Sequence, residues 1–107
     1  MFGLNIPQIS AIARKVGPNS EIATALWAER SVRESRLLAL YIMGLLNPPD
    51  RQGAIALAAD VQSPEEADVL AFKVLKRTAH AASLLDDIER MHPFGEYLCA
   101  SLKRHLE

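Results

Sequence analysis

The sequence predicts an all-α fold, a compact stack of about seven short helices, and three observations carry that prediction. Apolar residues recur at three- and four-residue spacing in one segment after another. Residues that cap or break helices, such as Gly17-Pro18, Asn47-Pro48-Pro49 and Ser63-Pro64, separate those segments. No stretch alternates apolar and polar residues in the manner of a strand, and no Asn-Gly or Asp-Gly pair marks a hairpin.

Asn5 stands before Ile6-Pro7, and proline suits a first helical turn because its missing N–H would have no partner there. Ile9, Ile12, Ala13 and Val16 then line one face up to Gly17. Asn19 or Ser20 caps a short second helix with an apolar stripe of Ile22, Ala25, Leu26 and Trp27. Ser31 and Glu34 have the spacing of a capping box, so a third helix is expected over 31–46. Its second half, Leu37 to Leu46, is apolar apart from Tyr41 and Gly44, and a helix apolar all round must be covered on several sides. The run is too short for a bilayer, which needs about 20 residues, so other helices are its cover. Two prolines end it.

Asp50 caps an alanine-rich helix running to about Asp60. Ser63, Pro64 and Glu66 make a second capping box, followed by Ala67, Leu70, Ala71, Val74 and Leu75 on one face. Leu84, Leu85 and Ile88 predict a sixth helix ending near His92-Pro93, and Phe94, Leu98 and Leu102 a seventh that turns Lys103 and Arg104 outward. Short helices paired in order are the material of HEAT-type solenoids, although no literal repeat is visible.

The 107 residues are expected to form a single domain. A net charge of -1 excludes a strongly basic DNA binder, because counterion release needs surplus clustered Lys and Arg; local basic patches remain open. The single cysteine, Cys99, excludes an internal disulfide and, with no signal peptide or membrane-spanning run visible, leads to a cytoplasmic expectation. His80, His92 and His105 lack metal-ligand spacing, and no P-loop or dinucleotide fingerprint is present, so neither metal nor cofactor is expected. Asp86, Asp87 and Glu89 read as a solvated acidic face.

Two basic sets have alternative readings. Arg33 and Arg36 follow Arg30 at three-residue spacing, and Lys73, Lys76 and Arg77 end the fifth helix. Both sets could contact phosphates along one groove. The second set would also complement the negative end of its helix dipole, while Arg33 and Arg36 could pair with Glu29 and Glu34. Asp68 stands one turn before Phe72, at the edge of the apolar face. A carboxylate beside a ring suits a cationic ligand or transition state; an acid in a first helical turn is also favourable with no ligand at all.

The order FGLNIPQISAIARKVG, IATALWAERSVRESRLLAL and ADVQSPEEADVLAFKVLKRTAHA resembles the DNA alkylation repair proteins, the HEAT-like-repeat alkylpurine DNA glycosylases. Gly3 and Pro7 match the glycine and proline ahead of that family's first helix. Leu26 and Trp27, then Glu34, Arg36, Leu38 and Ala39, match its Ala-Leu-Trp and Glu-x-Arg-x-Leu-Ala elements. Asp68 falls on the last aspartate of its Asp-Ser-Trp-Asp-x-x-Asp segment, whereas Gln62 and Pro64 replace the first aspartate and the tryptophan. The resemblance is to the N-terminal half of such a protein, and no late arginine or tryptophan match follows Ile88.

The resemblance implies a helical scaffold, a basic groove for duplex DNA and Asp68 as the residue that helps break the N-glycosidic bond of a cationic alkylpurine. The substituted aromatic wall removes positioning that this chemistry needs. The expectation is therefore a non-catalytic binding or interaction module, with duplex DNA or another protein as partner and a homodimer through the last helices. A minimal glycosylase using Asp68, with Arg33, Arg36, Lys73, Lys76 and Arg77 holding the backbone, is the alternative.

Overall fold

The computed structural model describes residues 5–78, 81–91 and 94–106. Gly3, His80, His92 and Pro93, which figure in the sequence expectations, lie outside the described residues. Among those described, the chain forms seven α-helices and one 3-10 turn, with no strand. The chain divides into two compact units, with the boundary between Asn47 and Pro48.

The first unit holds α1 (Ile6–Val16), α2 (Ser20–Trp27) and α3 (Arg33–Met43). Asn5 and Gln8 close a capping box on α1, each side chain accepting the other's backbone N–H at 2.9 Å. Gly17 ends that helix with φ of 79°, a conformation that a side chain would strain. Asn19 caps α2 through Ile22 N–H at 3.0 Å. The helix turns Ala23 into the core and leaves Ile22 exposed, so the expected stripe is rotated by one residue.

The third helix begins later than the sequence suggests. Val32 is the N-cap and no side chain caps α3. Residues 28–32 instead form tight turns, with Glu29, Arg30 and Val32 N–H groups donating to Leu26, Ala28 and Glu29 carbonyls. Glu34 pairs with Arg33 at 3.2 Å. The helix also stops at Met43, with Gly44 as its C-cap, short of Leu46. Its coverage is as expected over most of the run, since α3 packs on both α1 and α2 and buries Arg36, Leu37, Ala39, Leu40, Tyr41 and Ile42, but Leu38, Met43 and Leu46 are only half-buried and Leu45 is exposed. Each fully buried leucine or isoleucine contributes about 1.5–3 kcal/mol of transfer free energy.

The second unit holds α4 (Arg51–Ala59), α5 (Pro64–Lys73), the 3-10 turn Leu75–Arg77, α6 (Ala81–Glu89) and α7 (Gly95–Leu106). Both α5 and α6 pack on α7, and α4 packs on α6. Asp50 caps α4 through Gly53 N–H at 2.7 Å. Ser63 caps α5 through Glu66 N–H at 3.1 Å, but Glu66 accepts from Gln62 N–H at 2.9 Å, so the reciprocal half of the box sits one residue upstream. The helix ends at Lys73 because Val74 leaves helical geometry at φ −120°, ψ −61°. Val74 and Leu75 still point inward, completing the buried face of Ala67, Leu70 and Ala71.

Leu84 and Ile88 of α6 meet the α7 side of the core with Leu98 and Leu102. Gly95 permits this approach: a Cβ there would lie 2.3 Å from the Ile88 carbonyl oxygen. On the outside, Arg51 joins α4 to α6 by bonding Ser83 at 3.1 Å and Asp87. Asp86 and Glu89 are exposed.

Candidate functional site

The second unit brings Asp68 of α5 against one face of α7. Tyr97 O–H donates to Asp68 Oδ2 at 2.8 Å, Ser101 O–H donates to Oδ1 at 2.7 Å, and Arg104 Nη2 approaches Oδ1 at 3.4 Å. The three donors come from i, i+4 and i+7 of one helix, which is why they converge on one point. Ser101 is fully buried, Tyr97 is exposed, and the Asp68 side chain is 43% accessible. The carboxylate therefore ties α5 to α7 at a half-open position. Its hydrogen bond pushes the Tyr97 phenol above its ordinary value of 10.0, with partial desolvation and the Asp68 charge adding to the effect. A phenol is protonated at neutral pH in any case, and the shift keeps Tyr97 a donor further into the alkaline range.

Beside this clamp lies an open cleft of about 230 Å³, lined by Asp68, Val69, Phe72 and His105. Phe72 is 41% exposed, and His105 packs against it with ring centroids 5.1 Å apart and planes tilted by 34°. Two ammonium groups also sit over the phenyl ring, Lys76 Nζ at 4.4 Å from the centroid and Lys73 Nζ at 5.0 Å. The arrangement is an exposed aromatic side chain with two cations over its ring, next to a carboxylate already bonded to its own chain. Arg77 donates from Nε to the Lys73 carbonyl at 2.9 Å, which closes the end of α5.

The other two basic residues expected at a DNA backbone belong to the first unit. Arg33 is exposed and paired with Glu34. Arg36 has no accessible surface, its guanidinium lying 3.5 Å from the Trp27 ring centroid and donating to the Trp27 carbonyl at 2.6 Å. Its place is in the core of that unit, where it joins α3 to the end of α2. An arginine followed directly by an apolar run gives no hint of this; only Trp27 nine residues earlier, a planar partner, does.

Tyr97 and Ser101 were not singled out by the sequence, and Arg104 read only as a solvated cation. The signal was available in the spacing of Tyr97, Ser101 and Arg104, a polar stripe beside the apolar Leu98 and Leu102. Cys99 is buried, donates weakly to the Leu85 carbonyl at 3.7 Å, and has its thiol pushed up by desolvation, so it behaves as a small core residue. Among the described residues no group of three or more His, Cys, Asp or Glu is placed to hold a metal ion, and no helix is long and apolar enough to cross a membrane.

The sequence shows no significant match to a curated protein or to a solved structure. A family model described as DNA alkylation repair enzyme matches residues 1–93, a span that includes Trp27, Arg36, Asp68 and Phe72 and stops before α7. With most of its length accounted for by that match, the chain belongs to the DNA alkylation repair enzyme family.

Proposed function

We propose that this protein is a non-catalytic, HEAT-like DNA-binding module of the alkylation repair family. The observation that carries the reading is the engagement of Asp68: both carboxylate oxygens accept hydrogen bonds from α7, and Arg104 offsets the charge. A carboxylate serving a cationic alkylpurine must direct its charge at the sugar as the glycosidic bond breaks. Here Tyr97, Ser101 and Arg104 occupy three of its roughly four acceptor directions. Asp68 acts as a structural acceptor, and the basic surface beside it supplies the contact with DNA. Lys73 and Lys76 reach phosphates from beside Phe72, Arg77 adds exposed positive charge on the same unit, and Arg33, its charge partly offset by Glu34, adds less on the other.

Salt dependence tests this reading. Fluorescence anisotropy with labelled duplex DNA should show affinity falling as salt rises, and a K73Q/K76Q protein should bind more weakly with a shallower slope. For duplex DNA the slope of log affinity against log salt becomes shallower by about 0.9 for each phosphate that the protein no longer neutralises. Unchanged binding in the double variant would remove this face from the interface.

The competing reading, a minimal glycosylase, draws support from one feature. The Asp68 side chain is 43% accessible and borders a cleft with an aromatic wall, so a substrate that displaced Tyr97 would meet a carboxylate.

A further inference from the structure

We propose that the Phe72 cleft takes an unpaired base, and that this face binds single-stranded DNA in preference to the duplex. The proposal rests on the DNA-binding reading above and names the form of DNA that suits the cleft. In a duplex every base is stacked between neighbours, so backbone contacts by lysine side chains would use no exposed ring. Phe72 nevertheless stands 41% exposed at the mouth of an open cleft of about 230 Å³, which Asp68, Val69 and His105 also line.

Charge is placed to match. Lys76 Nζ lies 4.4 Å and Lys73 Nζ 5.0 Å from the phenyl centroid, within the distance that separates a base from its flanking phosphates. An aromatic ring with cations close by is the general chemistry of sequence-tolerant single-strand recognition, in which the ring stacks a base and the cations track the backbone. Here the cations lie over the ring and move aside as the base stacks. Both ammonium groups sit at the ends of flexible stems, so a phosphate can draw them from the ring without moving α5. Asp68 would repel that phosphate if bare, but Arg104 lies 3.4 Å from it. His105, which lines the cleft, belongs to α7, beyond the residues that match the family model.

The test compares a short labelled single strand with the duplex of the same sequence, for the wild type and for Phe72→Leu and Phe72→Tyr proteins, by anisotropy at low and moderate salt. Tighter binding of the single strand is expected. Phe72→Leu should weaken single-strand binding by about tenfold while leaving duplex binding nearly unchanged, since stacking of one base on a ring is worth that much or more. Phe72→Tyr should retain the preference, which shows that the ring and not general folding is at issue; far-UV circular dichroism on all three confirms equal helix content. Equal affinity for the two forms, with Phe72→Leu indistinguishable from wild type, would overturn the base-stacking proposal and leave the backbone contact standing. No binding of either form at low salt would overturn both.

Discussion

Replacing Asp68 with alanine separates its structural role from a chemical one. Three partners lose an acceptor, and their surroundings set three different costs. Tyr97 is exposed, so its hydroxyl turns to water and its share of the loss is negligible. The Arg104 pair has side chains 66% and 43% accessible, and solvent screening leaves it worth no more than about 0.5 kcal/mol. Ser101 is fully buried, and its hydroxyl is left facing α5 without its charged acceptor, which costs about 1–2 kcal/mol. The total is about 1–2.5 kcal/mol, most of it from Ser101. With a urea dependence near 1.5 kcal/mol per molar, the unfolding midpoint read by far-UV circular dichroism should fall by about 0.7–1.7 M. Asp68→Asn retains one acceptor and should lose about half as much. The double variant D68A/S101A should be no less stable than D68A, because it removes the orphaned hydroxyl. A D68A midpoint within about 0.3 M of wild type would show that the clamp does not hold α5 to α7 and would refute this reasoning.

Three further outcomes follow from the geometry. Arg36→Met should destabilise the first unit by about 3 kcal/mol, through loss of a charge-assisted bond to the Trp27 carbonyl and of the ring contact, and Trp27, the only tryptophan, reports it directly by fluorescence. Gly95→Ala should cost about 2 kcal/mol or more in thermal unfolding, since its Cβ meets the Ile88 carbonyl at 2.3 Å and backbone must shift. For Tyr97, the folded-state phenol titrates above 10.0, its unfolded value, so the contribution of its protonated form, small at an exposed site, is fully present below pH 10 and is lost as pH rises through the folded value. The phenolate absorbance assigned to Tyr97 by difference from Tyr97→Phe should therefore appear later than that of a free tyrosine, and Asp68→Asn should bring it back.

Helix identity was legible because local signals agreed: Asn5, Asn19, Asp50 and Ser63 cap the helices whose starts they mark. The exception is Ser31, where a correct spacing was overridden by the tight turns that connect α2 to α3 and by the local Arg33–Glu34 pair. The site was half legible. Asp68 and Phe72 lie one turn apart on α5, so their proximity can be read from helical spacing, as can the cations of Lys73 and Lys76 nearby. The groups that decide what Asp68 does, Tyr97 and Ser101, are 29 and 33 residues away and meet it only through the packing of α5 on α7. Arg36 illustrates the same limit in the other direction: its charge suggested a surface, and a long-range planar partner, Trp27, allows it to be buried.

The central claim, that this family member binds DNA without cleaving glycosidic bonds, is tested most directly by a base-release assay. Duplex DNA carrying a single 7-methylguanine is incubated with excess protein, in parallel with an anisotropy measurement on the same samples. Salt-sensitive binding is expected, with release of 7-methylguanine no faster than in buffer and no change in release for Asp68→Asn. Release above the buffer rate that disappears in Asp68→Asn, a variant shown to be folded, would contradict the claim and make Asp68 a catalytic residue.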